Sequence, residues 1–242
     1  SRAALTCLVV IAASPGCSST GVGNPLTAEL AVVSDDAPES DAVDPTEVLD
    51  AAAVTAATLV VRAMSWVPCD ASVARRWAPG PFRIDLQRGV VEPSLPPLQI
   101  EGGQRVCGLD ARLGPALSPG ALLGRSLHFA GKRSDGTPFV LLIDLPGTLR
   151  VRTSDPAGFA ATDVPRLLWA LRPRRWLTPN ELTAAAPADA AIIVVDSEHP
   201  LLLEIIKRRL AGRSTLHVDS NGNGRLDPDE RPKVIGRGLD TL

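Results

Sequence analysis

Ser126-Leu127-His128-Phe129-Ala130 and Pro138-Phe139-Val140-Leu141-Leu142-Ile143-Asp144-Leu145 flank the pair Asp135-Gly136. Two strand-like runs around an Asp-Gly pair form the strongest short-range hairpin signal, because the turn needs positive φ and glycine adopts it cheaply. Leu127 and Phe129 on one arm should pack near Phe139, Leu141 and Ile143 on the other. Outward from this hairpin the same grammar continues. Pro146-Gly147 makes another turn into the run Thr148 to Arg152. Upstream, Thr58 to Val67 is strand-like and ends at Pro68-Cys69, while Phe82 to Leu86 and Arg105 to Leu113 alternate as half-buried strands do. Glu92 to Pro97 must be loop. Short strands with frequent turns over 57–153 predict a mainly β, mostly antiparallel, β-sandwich-like domain.

Helix enters only late in the chain. Leu167 to Leu171 reads as a strand with Trp169 facing the core, and Ala191 to Val195 as a buried strand. Thr178-Pro179-Asn180-Glu181 is a capping box with proline in the first turn, opening a short helix through Ala186. His199-Pro200 begins a second helix, Leu201 to Leu210, ended by Gly212. Two short helices near the C-terminus therefore complete the fold. At the other end, Leu26 to Val33 fits a first edge strand. Ser34 to Asp50 follows with Asp35, Asp36, Glu39, Asp41, Asp44, Glu47 and Asp50 and no basic residue, the pattern of a solvated loop.

After the second helix, Thr215 to Val218 alternates like a short strand and leads into Asp219-Ser220-Asn221-Gly222-Asn223-Gly224-Arg225-Leu226-Asp227-Pro228-Asp229-Glu230. This stretch resembles the calcium loop of EF-hands, D-x-[DN]-x-[DN]-G-x5-E, at every defining position. Ca²⁺ takes six to eight oxygens, more than a regular helix or strand can aim from one short segment. The resemblance implies side-chain oxygens from Asp219, Asn221 and Asn223, and the backbone carbonyl of Arg225. It further implies Asp227, directly or through water, and a bidentate Glu230. Gly224 allows the sharp turn and Leu226 packs the loop onto the domain. With asparagine at two ligand positions the affinity should fall at the weak end, roughly 10⁻⁴–10⁻³ M. The competing reading is an Asn-Gly-rich turn that binds nothing. The flanks depart from helix-loop-helix: Ala211 to Ser214 stops the preceding helix, Pro232 stands where an exiting helix would begin, and no second loop is present.

The chain has 242 residues and net charge −2, which allows one domain of ordinary or large size and gives no electrostatic case for nucleic acid. Residues 1–17 read as a signal peptide, with Arg2, the apolar run Ala3 to Ala13, and small residues before Cys17. Ser14-Pro15-Gly16-Cys17 resembles the lipobox of bacterial lipoproteins, in which the cysteine carries the lipid. An ordinary signal peptide with an incidental cysteine is the alternative. Residues 18–25 would be a flexible tether, 26–56 an N-terminal segment with the acidic loop, and 57–242 the β domain with the loop at 219–230. The expected address is the bacterial cell envelope, lipid-anchored at the outer membrane or in the periplasm. Of four cysteines, Cys7 lies in the leader and Cys17 takes lipid, so Cys69 and Cys107 should form a disulfide. Closing about 39 residues would stabilise by roughly 4 kcal/mol. The Cys17 leader with GVGNP, Trp66 to Cys69, Asp135 to Phe139 and the Asp219 loop together resemble uncharacterised bacterial β-sandwich lipoproteins with a single EF-hand-type loop.

No H-E-x-x-H, G-x-S-x-G, C-x-x-C or P-loop occurs, and no catalytic residue is assigned. His128, His199 and His217 read as surface residues. Asp85, Asp110 and Asp144 are candidate acid–base carboxylates, but cross-strand pairing with Arg83, Arg112 and Arg150 accounts for them. Arg166, Arg172, Arg174 and Arg175, interleaved with Trp169 and Trp176, read as a solvated face covering the tryptophans' edges, while Lys207, Arg208, Arg209 and Arg213 sit late in a helix, where cations favour the dipole's negative end. The first group could alternatively meet anionic headgroups or polysaccharide. The expectation is a lipid-anchored, calcium-binding module of the envelope, binding or structural, with an envelope protein or polysaccharide as partner and the balance against an enzyme. The alternatives are a secreted hydrolase with a structural calcium ion and a dockerin-like adaptor, which needs two such loops.

Overall fold

A computed structural model describes residues 26–35, 49, 53–100, 103–115, 124–133, 135–160, 162–164, 166–185, 192–195, 200–239 and 242. The Cys17 leader, the tether, most of the acidic loop and His199 lie outside the described residues. The class is as expected: among the described residues fourteen strands join in one curled, mostly antiparallel sheet, with two short helices.

The curl follows from the longest strand, β2 (Val54–Pro68). Its first half pairs with β7 (Leu127–Lys132), its middle with β3 (Ala78–Asp85), and its second half with β6 (Arg105–Leu113). The registers with β3 and β6 both slip between Val61 and Ala63. A bulge of this kind bends a strand and increases its twist, so one strand can serve two parts of a closing sheet. Cys69 and Cys107 form the expected disulfide at the far end of the β2–β6 pair, tying residues 38 apart.

The hairpin that anchors the sequence reading is present. β7 and β8 (Pro138–Ile143) pair Leu127 with Ile143, Phe129 with Leu141 and Gly131 with Phe139. All five of the large apolar side chains in those pairs are buried, and Phe129 meets both Phe139 and Trp176 with ring centroids about 6 Å apart (5.9 and 6.1 Å). Beyond β8 the sheet ends on β12 (Ile192–Val195), which runs parallel to it. On the other side of β6 come β9 (Gly147–Thr153), β14 (Val234–Gly238), β13 (Thr215–Val218), β11 (Arg166–Leu171), β1 (Leu26–Ser34) and β5 (Leu98–Ile100). Short β4 (Val90–Glu92) extends β3, and β10 (Phe159–Ala160) pairs with β6.

β1 and β11 are parallel neighbours over Glu29 to Ser34. Both faces of β11 are covered, as is usual for parallel pairs. Leu167, Trp169 and Leu171 enter the main core, while Leu168 and Ala170 join Val33 and Leu226 in a small second cluster on the opposite face. Helix α1 (Pro179–Ala185) carries the expected capping box: the Glu181 N–H donates to Thr178 Oγ1 (3.2 Å) and the Thr178 N–H to Glu181 Oε2 (2.8 Å). Helix α2 (Pro200–Gly212) buries Leu202, Ile206, Leu210 and Ala211, an i, i+4, i+8 stripe on the core side. Glu181 also accepts from Arg209 Nη2 (2.9 Å), so the cap of α1 is joined to the last turn of α2.

Candidate metal centre

The loop 219–230 is a strand-to-strand connection, because β13 and β14 are antiparallel neighbours. Helix-loop-helix geometry is replaced by strand–loop–strand. Two anchors seat it on the sheet. Leu226 packs against Val33, Leu168 and Ala170 on the outer face of β1 and β11. Arg166, the first residue of β11, donates to the Gly222 carbonyl (2.9 Å) and pairs with Glu29 (3.0 Å), while its own carbonyl accepts the Asp219 N–H (3.2 Å).

Within the loop the predicted ligands are wrapped by chain N–H groups. Asp219 accepts from the N–H of Gly222 (2.7 Å) and, through its other oxygen, from that of Gly224 (3.0 Å). Gly222 and Gly224 both take positive φ (73° and 70°), which turns those N–H groups back towards the carboxylate. Asn221 Oδ1 accepts from Asn223 N–H (3.0 Å), and Asn223 Oδ1 from Arg225 N–H (2.7 Å). Glu230 closes the circle: Oε1 accepts from both the N–H (2.7 Å) and the hydroxyl (2.8 Å) of Ser220, and Oε2 from the Asp227 N–H (3.2 Å). The side-chain amides of Asn221 and Asn223 both donate to Asp227 Oδ2 at 2.7 Å.

Glu230 is fully buried and Asp219 is 8% exposed, yet no Lys, Arg or His among the described residues forms an ion pair with Asp219, Asp227 or Glu230. Burying a carboxylate without a cation is expensive, and hydrogen bonds to the charged form offset only part of that cost. Burial pushes the Glu230 carboxyl up, but the bonds from Ser220 and from chain N–H groups outweigh it and hold it below its usual range. Asp227 is held low by the two asparagine amides. Carboxylates, amide oxygens and one carbonyl are the ligand types a hard divalent cation takes. Among the described residues, however, no three His, Cys, Asp or Glu side chains, Asp219, Asp227 and Glu230 included, come together in a group able to hold a metal. A cleft of about 460 Å³ opens beside the loop, lined by Glu29, Leu95, Arg166, Asp219, Gly222 and Asn223 among others.

Several other readings of the sequence are corrected. His217 is fully buried rather than on the surface, with Nδ1 3.2 Å from the Glu230 carbonyl and Nε2 2.9 Å from Thr215 Oγ1. Alternation does place it opposite Leu216, but the end of the loop covers that face too. Burial, more than any neighbour, lowers its pKa and favours the neutral ring. His128 is half-buried, and burial first, then Arg83, lowers its pKa.

Asp85, Asp110 and Asp144 are satisfied separately and not by the arginines expected, and Asp144 lies just past the end of β8. Asp110, 3% exposed, accepts from Arg75 and Arg152 at 2.6 Å each. Arg152 lies across from Gly108, where a Cβ would come within 3.1 Å of its side chain and 2.2 Å of the Val151 carbonyl, so glycine leaves the path to Asp110 open. Asp85 accepts the N–H groups of Gln87 and Arg88 (3.0 and 3.2 Å), and Asp144 the Ser126 hydroxyl (2.9 Å).

The first basic group is not a solvated face either. Arg172 and Arg175 are buried, Arg172 pairs with Asp35 (2.9 Å), and Trp169 and Trp176 lie wholly in the core. Arg166 and Ser220, which hold the loop and its closing glutamate, escaped the sequence reading. The motif leaves its second position unspecified, and Arg166 arrives from a strand about fifty residues upstream. Against known proteins, no family model, no curated protein and no solved structure matches this chain.

Proposed function

We propose that residues 219–230 hold one Ca²⁺ and that the chain is a lipid-anchored, calcium-braced binding or structural module of the bacterial envelope. The observation that carries the reading is the pair of buried carboxylates, Asp219 and Glu230, each held by chain N–H groups and neither paired with a basic side chain among the described residues. Bound there, Ca²⁺ would supply the positive charge this pocket lacks. Asp219, Asn221, Asn223, Asp227, Glu230 and the Arg225 carbonyl are the ligands. Ser220 and the Asp227 N–H keep Glu230 ionised and aimed, and Leu226 fixes the loop to the sheet. Because the loop joins two neighbouring strands, ordering it braces β13 and β14 rather than opening a groove. The role is structural, not that of a sensor.

Export is supported by the Cys69–Cys107 disulfide, since such bonds persist in oxidising compartments. Cys17 is the proposed lipid attachment. The binding half of the reading rests on the cleft beside the loop, where Glu29 and Arg166 offer polar groups to a saccharide or peptide.

Thermal unfolding in metal-depleted buffer and in 10 mM calcium, about ten to a hundred times the Kd expected for such loops, tests the proposal. Mass action then gives about 1.4–2.7 kcal/mol, a rise in Tm of roughly 3–10 °C. Glu230→Gln should abolish the rise. Equal transitions in both buffers would overturn the calcium assignment.

A further inference from the structure

Five arginines from three separate elements line one open cleft on the far side of β13. Arg172 stands just past β11, Arg208 and Arg209 lie towards the C-terminal end of α2 with Arg213 just past it, and Arg237 projects from β14. Gly212 and Thr215 complete a space of about 530 Å³. The register that pairs Thr215 with Arg237 brings the strand arginine beside the helix end. The helix end is itself tied down: Ser214 Oγ donates to the Leu210 carbonyl (2.6 Å), and the Gly238 N–H donates to the Ser214 carbonyl (2.8 Å).

Cations in the last turn of a helix have an ordinary explanation, the negative end of its dipole. That covers Arg209 and Arg213. It does not explain why Arg172 and Arg237, from two strands, share the same cleft. Like charges at this density repel unless an anion offsets them. Arg172 feels the crowding: burial lowers its pKa most, and Arg175 and Arg213 add to that against the opposing pull of Asp35.

The guanidiniums fall into two kinds. Arg172 is fixed by Asp35 and Arg209 by Glu181, so both are held in place at the wall of the cleft. Arg208 and Arg237 are exposed and pair with no carboxylate among the described residues. A guanidinium presents a planar fork of donors that matches two oxygens of a phosphate, and two such forks across one cleft match a dianion or larger.

We propose that this arginine cleft binds a phosphate-bearing anion, with Arg208 and Arg237 as its principal charged contacts. A free phosphorylated molecule and a phospholipid headgroup share that chemistry. The cleft lies apart from the calcium loop, and the proposal stands independently of metal binding there.

The test is titration calorimetry at low salt with pyrophosphate and with inorganic phosphate, in metal-depleted buffer so that calcium pyrophosphate does not confound the heat. Alongside it, co-sedimentation uses phosphatidylcholine vesicles with and without phosphatidylglycerol. The variant is Arg208→Ala/Arg237→Ala, two exposed positions whose loss leaves the core intact. Arg88→Ala, an exposed arginine on the β3–β4 turn, is the control. Saturable pyrophosphate or phosphate binding, unchanged in the control and weakened roughly tenfold or more in the double variant, supports the proposal with a soluble ligand. Binding to phosphatidylglycerol vesicles alone, lost in the double variant, supports it with a headgroup as the source. No binding of any probe, or binding that the double variant retains, overturns it.

Discussion

Replacing Leu226 by alanine tests whether the loop is fastened to the sheet from outside the main core. Leu226 is 8% exposed and packs with Val33, Leu168 and Ala170 in a cluster separate from the main core. Removing its branched end deletes about three carbon groups, which at ~0.8 kcal/mol each gives about 2.4 kcal/mol of lost burial. The site is near the surface and can partly collapse, so the cavity contribution is small and the total should stay near 2 kcal/mol, below the upper range for core leucines. For a chain of this size that is a fall in Tm of roughly 4–8 °C. Urea unfolding in metal-depleted buffer is the assay, with Leu226→Met, which conserves volume, as the control expected to cost less than about 1.5 kcal/mol. Calcium affinity should weaken in the alanine variant, because ordering the loop would then fall on the ion alone. A loss under about 0.5 kcal/mol, the range of an ordinary surface substitution, would show that the loop is not anchored at this point.

Asp110→Ala should destabilise by about 2 kcal/mol in urea unfolding, less than the 3–5 kcal/mol of a fully buried pair, because Arg75 is 41% and Arg152 28% exposed and both can regain water. A change within about 0.5 kcal/mol would mean the two arginines contribute nothing through it. Glu181 has a folded-state pKa below its usual value: burial raises it, but the bonds from Thr178 and Arg209 prevail. Its contribution is therefore full above the unfolded value of 4.5 and disappears as pH falls through the lower folded value. Wild type should exceed Glu181→Gln by about 1–2 kcal/mol at pH 7, and the gap should close progressively as pH falls below 4.5 and through the lower folded value. A gap that persists in acid would contradict this. His217→Ala should cost at least about 2 kcal/mol, since it opens a buried space and strands the Thr215 hydroxyl and the Glu230 carbonyl; a neutral result would mean that face is open to water.

What the chain declares locally was readable, and what depends on distant partners was not. The β7–β8 hairpin, the limits of β6 and the Thr178 capping box each rest on residues within a few places of one another. The parallel pairing of β1 with β11 joins residues more than 130 apart and leaves no periodic trace beyond an apolar run. Strand β14 carries little strand signal, because Val234-Ile235-Gly236-Arg237-Gly238 holds two glycines, a residue depleted in strands. The reason for one is steric: a Cβ on Gly238 would sit 1.8 Å from the Ala211 carbonyl at the end of α2. His217 misled because alternation identifies opposite faces of a strand but not whether both are covered. At the site, the motif supplied the ligand positions, whereas Arg166 and Leu226's partners became visible only once β11 lay beneath the loop. Pairing with Arg83, Arg112 or Arg150 does not describe Asp110: Arg150 faces it in register, yet Arg152 reaches it diagonally over Gly108.

The most direct measurement is a calorimetric titration of the metal-depleted protein with calcium, repeated for Asp219→Asn and Glu230→Gln. The account predicts one ion per chain, a Kd of roughly 10⁻⁴–10⁻³ M, and loss of the heat in both variants while their circular dichroism stays that of the wild type. A wild-type titration without heat at millimolar calcium, coupled with an unshifted melting curve, would contradict it.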